Sequence, residues 1–161
     1  MYDNTMSIKD YVTLFLNEGT VISAGIYEWH IPSTYYTDQR STVCTVSVVG
    51  ANIASSGPHT NILIEYSNGG NNIYSKDNNT YVIAHCQHES TGAGGNALYK
   101  AFSQDIQLLT TARPQVIRLR FLTGTKGVQA MDNGCITLKY CYYNSEHVNK
   151  DLHNQYTNTL K

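Results

Sequence analysis

Charge is scarce in this sequence. Its 161 residues hold 11 Lys and Arg against 12 Asp and Glu, so only 14% are charged and the formal net charge is −1. So little self-repulsion favours association over a monomer. No basic arm or face of the kind that grips phosphate backbones is legible, and no direct nucleic-acid partner is expected. No apolar run approaches the ~20 residues that cross a bilayer as a helix, which argues against a membrane partner. The opening residues MYDNTMSIKD lack the basic and apolar segments of a secretory leader, so the expectation is synthesis in the cytoplasm with reduced thiols.

The marks of catalysis are missing too. There is no G-x-S-x-G nucleophile elbow. The glycines of Ser90–Gly95 lack the Gly-Lys-Ser/Thr ending of a phosphate-cradling loop, so that segment reads as a plain flexible loop. The carboxylates are too scattered to nominate a glycosidase pair. His85-Cys86-Gln87-His88 is the densest cluster of imidazole and thiol, yet on a strand His85 and Cys86 point to opposite faces and cannot close on one metal. The sequence therefore suggests no enzyme, no metal and no cofactor. Of the four cysteines (Cys44, Cys86, Cys135 and Cys141), the last two lie six apart on one strand-like run. That places them roughly 20 Å apart, too far to pair.

What is present is short runs of Val, Ile, Thr and Tyr at period two, the pattern of strands with one face on a core. Ser7–Leu16 reads as a first strand, and Thr20–Ile31 as a second, bent at Gly25. Ser41–Ile53, with a bend at Gly50, then Asn61–Ser67, Ile73-Tyr74, Thr80–Gln87 and Asp105–Thr110 continue the series. His88–Asn96 reads as a loop, and Ala97–Phe102 as one helical turn capped by Asn96. The clearest alternation is in Val116–Leu122 and Cys135–Tyr143, which read as the closing strand pair. It assigns Ile117, Leu119, Phe121, Ile136 and Leu138 to the core and turns Arg118 and Arg120 away from it.

About eight strands with Gly, Asn and Pro turns and no long helix exclude a parallel βαβ fold. The fold class expected is all-β, an antiparallel β-sandwich of jelly-roll type, with one domain over residues 1–144 and a polar C-terminal tail over 145–161. An immunoglobulin sandwich fits less well, because Trp29 precedes every cysteine.

Two compositional features point to contact surfaces. Between Arg113 and Lys139, Arg113, Arg118, Arg120, Lys126 and Lys139 face Asp132 alone, which makes this stretch basic and the remainder acidic. A solvated sheet face explains that first; contact between oppositely charged faces of two subunits comes next. The 13 tyrosines exceed what one small core requires. Tyr35, Tyr36, Tyr142 and Tyr143, with Arg118 and Arg120, are the candidate interface or glycan-contact residues.

The stretch Gly25–Tyr36, GIYEWHIPSTYY, and the Cys- and Tyr-rich strand Gly134–Tyr143 resemble the opening and last strands of small single-jelly-roll virion proteins. These are minor capsid, penton or cement proteins of double-stranded DNA viruses and virophages. The resemblance implies a structural virion role as vertex, spike or cement, made in the host cytoplasm and located in the virion. It implies a homo-oligomer, trimer or pentamer, in contact with other virion proteins. A carbohydrate- or receptor-binding head on the same fold is the alternative.

Overall fold

Period-two runs of β-branched and aromatic residues produce strands almost everywhere the sequence shows them. The structure, a computed structural model, describes residues 8–57, 59–67, 82–91, 96–103, 106–125 and 127–142. Among them are ten strands: β1 (Lys9–Phe15), β2 (Thr20–Ser23), β3 (Ile26–His30), β4 (Val43–Ser56), β5 (Asn61–Ser67), β6 (Val82–Thr91), β7 (Asn96–Phe102), β8 (Leu108–Thr111), β9 (Val116–Thr123) and β10 (Asn133–Tyr142). Two short 3-10 turns, Leu16–Glu18 and Ser33–Tyr35, join β1 to β2 and follow β3. Every strand pairing is antiparallel.

The strands run in the order β1-β10-β4-β7-β6-β5-β9-β3-β2, with β8 also paired to β4. Leaving aside β2 and β7, the pairings are nested. The first strand lies beside the last (β1–β10), β3 beside β9, β4 beside β8, and β5 beside β6. The sheet doubles over on itself. On a flat sheet, β10 and β5 would lie four strand spacings apart, roughly 19 Å. Instead the hydroxyl of Tyr66 on β5 and that of Tyr140 on β10 are 3.1 Å apart. Two layers, β1-β10-β4-β8 and β3-β9-β5-β6, thus face each other as a β-sandwich, and β7 bridges them between β4 and β6.

Between the layers sits one core, contributed by alternate residues of both. Ile117, Leu119, Phe121, Ile136 and Leu138 are each fully buried within it, as their alternation indicated, and Arg118 and Arg120 lie on the opposite face. Tyrosines dominate this core. Of the eight described tyrosines, six are buried (Tyr27, Tyr36, Tyr66, Tyr99, Tyr140 and Tyr142) and only Tyr11 and Tyr35 are exposed. A buried phenol favours a partner for its hydroxyl, and three of the six find one in the backbone of the connections. The Tyr36 hydroxyl donates to the Pro114 carbonyl at 2.6 Å, and that of Tyr27 donates to the Met131 carbonyl at 2.6 Å while accepting the Met131 N–H at 3.1 Å. The Tyr99 hydroxyl accepts the His59 N–H at 2.8 Å. Each ring fills the core, and each of these three hydroxyls pins a loop to it.

Four sequence expectations change. Thr20–Ile31 is two strands: Gly25, at φ +73, turns β2 back onto β3, and a Cβ there would meet Val128 and the Gln129 carbonyl. A residue with positive φ at a tight turn favours glycine, and here it makes a hairpin where a bend was expected. His88–Thr91 continues β6, and Asn96–Phe102 is strand β7, not a capped helical turn. Ala97, Tyr99 and Ala101 are buried at period two, and their cross-strand partners on β4 and β6 outweigh helix propensity. Val116–Thr123 and Asn133–Tyr142 are not a pair: β9 lies between β3 and β5, and β10 between β1 and β4, in opposite layers. The connection of nine residues from Gly124 to Asp132 crosses the sandwich and does not close a hairpin. Gly50 sits beside a β-bulge at Val49, since Gly50 pairs with Thr137 while Val48 pairs with the next residue, Leu138. The expected strand Ile73-Tyr74, Tyr143 and the tail 145–161 lie outside the described residues.

Candidate functional site

The contact residues suggested by the sequence separate once folded. Tyr35 stands on the 3-10 turn after β3 and is 60% exposed, whereas its neighbour Tyr36 is 2% exposed, packed edge-on against Tyr140 with centroids 5.8 Å apart. A Tyr35–Tyr36 contact platform is therefore corrected: Tyr36 is a core residue, and Tyr35 stands exposed above it, edge-on with centroids 6.3 Å apart. Tyr142 is also corrected to the core, on the inward parity of β10. Burial raises the Tyr142 phenol above its ordinary range, with the Asp10 carboxylate next in effect. Burial likewise raises the Tyr36 phenol. Tyr143 lies outside the described residues.

Arg118 and Arg120 occupy the outer face of β9, directly across from Glu28 on β3 and Glu65 on β5. The Arg118 guanidinium donates to Glu28 Oε2 through Nη2 at 2.5 Å and Nε at 3.0 Å, and Arg120 Nε donates to Glu65 Oε2 at 2.6 Å. His30 Nε2 lies 3.1 Å from Glu28 Oε1. The Arg118 hydrogen bond outweighs burial and holds the Glu28 carboxyl below its usual range. Arg113 is also engaged, its Nη1 donating to the carbonyls of Asp38 and Ser41. Three cations of the basic stretch seen in the sequence, Arg113, Arg118 and Arg120, are thus matched in space by carboxylates and carbonyls from elsewhere in the chain.

The thiols divide by burial. Cys44 and Cys86 are fully buried, and burial pushes each thiol up to about 12, so neither is a thiolate near neutral pH. Cys135 and Cys141 are half-buried on the outer face of β10. His85 is exposed while Cys86 is buried, the opposed parity read from the sequence. Among the described residues, no group of three or more His, Cys, Asp and Glu side chains gathers as a metal site would require.

Two surface features were not legible in the sequence. The first is the outer face of β1-β10-β4-β8. Tyr11 and Phe15 on β1, Val43 on β4 and Leu109 on β8 are 42–68% exposed. Phe15 pairs with Cys135, Thr13 with Thr137, and Thr45 with Leu109, so the face is a lattice of aromatic, aliphatic, thiol and Thr side chains. Val43 is diagonal to Leu109 across the β4–β8 ladder, within side-chain reach. Lys9 and Lys139 are the cations in these rows. The second is a groove of about 370 Å³ on the outer face of β6 and β7, with His85, Gln87, Glu89, Lys100 and Phe102 in its walls. His85, Gln87 and His88 of the cluster singled out in the sequence line it, but the groove itself was not legible, because His88–Phe102 read there as loop and helix. No protein-family model and no curated protein matches the chain.

Proposed function

We propose that this chain is a non-enzymatic structural subunit of jelly-roll type that acts by assembling into a symmetric homo-oligomer, trimer or pentamer, in a virion. The nested pairing of first strand with last, and so inward to β5–β6, supports the jelly-roll reading, since it is what a long antiparallel hairpin gives when rolled into two layers. The observation that carries the assembly reading is the exposed apolar face of β1-β10-β4-β8. Singly exposed apolar residues are ordinary, but Tyr11, Phe15, Val43 and Leu109 share one sheet face with few charges to keep copies apart. Aromatic and aliphatic side chains with depleted charge are the composition of an interface core. The proposed mechanism is geometric: rigid strands hold this face flat, and copies bury it against one another or against other virion proteins. Substituting Leu109→Lys tests the face directly. The leucine is 68% exposed, so the fold tolerates the lysine, and the variant is expected to shift the oligomer toward monomer in sedimentation across a concentration series. An unchanged distribution in both Leu109→Lys and Tyr11→Lys would remove this face from the assembly.

A further inference from the structure

We infer that the free edge of β1 receives an extended, acidic segment of another protein, added as a further strand beside β1. The register shows which backbone groups are open. Tyr142 N–H donates to the Ile8 carbonyl, so in the β1–β10 ladder the even-numbered residues of β1 exchange hydrogen bonds with β10. Lys9, Tyr11 and Thr13 therefore aim their N–H and C=O groups away from β10. Among the described residues nothing bonds to those groups. The Phe15 carbonyl, next in the same row, is held by Trp29 Nε1 at 2.9 Å.

Sheet edges are ordinarily blunted by shortness, a bulge or charge. The far end of this sheet is blunted: β2 has four residues and a register shift between Val21 and Ser23. β8, paired only to β4, also has four. β1 instead keeps seven residues in unbroken register, Lys9 to Phe15, with no proline. An edge of that kind accepts a strand through its main chain, and the flanking side chains choose which strand. Here the choice is set by charge. Lys9 lies opposite Cys141 and Tyr11 opposite Lys139, so the two lysines are diagonal across the ladder and within side-chain reach. Among the described residues neither makes an ion pair. Asp10, adjacent to Lys9, faces inward, and its carboxylate accepts the Thr37 N–H at 2.8 Å. Two ammonium groups beside an open edge favour a carboxylate on the incoming strand. A second copy of β1 has no outward carboxylate to offer, so the complement comes from another protein. The edge borders the apolar face and shares Tyr11 and Phe15 with it, but it binds through backbone and does not depend on assembly.

The test is fluorescence anisotropy of a short labelled peptide, Thr and Val alternating with Glu at each end, titrated with the full chain. The Glu peptide is expected to bind, and its counterpart with Lys at each end at least tenfold more weakly. Thr13→Pro removes an N–H that points out of the sheet, which an edge strand tolerates. It is expected to weaken the Glu peptide at least tenfold. Thr13→Val keeps that N–H, controls for the lost Thr13–Thr137 hydroxyl contact, and is expected to bind as the wild type does. Lys9→Glu is expected to reverse the order of the two peptides. If Thr13→Pro lowers the thermal unfolding midpoint below that of Thr13→Val, Lys9→Glu alone decides. Leu109→Lys is expected to bind the Glu peptide unchanged, which separates this edge from assembly through the apolar face. The inference is overturned if the Glu peptide does not bind, if both peptides bind alike, or if binding survives Thr13→Pro and Lys9→Glu. Loss of binding in Leu109→Lys would move the site to the apolar face, and a lower molar mass of Thr13→Pro without peptide would give the edge to a second copy; either result also overturns it.

Discussion

At the scale of single residues, tyrosine is the unit of construction. Tyr27 shows why: one ring packs edge-on against Phe121 at 5.5 Å and stacks with Trp29, while its hydroxyl holds both the N–H and the carbonyl of Met131. Removing that hydroxyl leaves two buried backbone groups without their partner. Tyr27→Phe is therefore expected to cost about 1–3 kcal/mol in urea unfolding, while Tyr35→Ala, on an exposed ring, stays within about 0.5 kcal/mol. Equal effects would mean that the hydroxyls do not pin the loops. The count of 13 tyrosines was visible from the start, but not their division between core and surface. Tyr35 and Tyr36 are adjacent and chemically identical, and only the 3-10 turn beneath them decides which is buried.

At the scale of elements, local alternation was a dependable guide and long-range pairing was not. Ile62, Ile64 and Tyr66 and the buried set Ile117, Leu119, Phe121, Ile136 and Leu138 follow from period two alone, because facing a core is a local property of a strand, whereas the burial of Glu65 and Ser67 on the other parity does not. Partner choice is not local. The segments holding β9 and β10 read as hairpin partners because they are consecutive, yet the fold sends them to opposite layers. The charges of β9 were legible, but Glu28 and Glu65, 90 and 55 residues earlier, come opposite Arg118 and Arg120 only through that topology. At Gly134 element and residue meet. Its φ of +127 opens β10, and a Cβ would overlap the Asn52 carbonyl and Ile53 Cα of the neighbouring β4 backbone. Gly134→Ala is expected to destabilise the chain by about 2 kcal/mol, read as a lowered urea midpoint at unchanged slope; a neutral result would contradict the close β10–β4 register.

For the whole molecule, the buried titratable groups set the pH range of stability. The phenols of Tyr36, Tyr66, Tyr140 and Tyr142 and the thiols of Cys44 and Cys86 are all raised, with burial the leading cause in each. For a raised group, stability is complete below the unfolded value, 9.0 for Cys and 10.0 for Tyr, and is lost as pH rises toward the folded value. Glu28 and Asp38 are lowered, Glu28 chiefly through Arg118. Asp38 is lowered against the cost of burial, by hydrogen bonds from the Ser41 hydroxyl and the Arg40 and Ser41 N–H groups. Their contribution is complete above the unfolded values of 4.5 and 3.8 and is lost as pH falls through the lowered folded values. Urea unfolding across pH should thus show a plateau from about pH 5 to 9 with a fall on the alkaline side; a midpoint unchanged to pH 12 would contradict the tyrosine-filled core.

The proposed assembly turns on what this sandwich does with its apolar outer face, and the most direct measurement is the molar mass of the chain in solution by light scattering at high micromolar concentration. Assembly through the Tyr11–Leu109 face predicts a discrete mass of three or five times the 18.0 kDa chain, reduced in Leu109→Lys. A mass of 18.0 kDa at every concentration would contradict it.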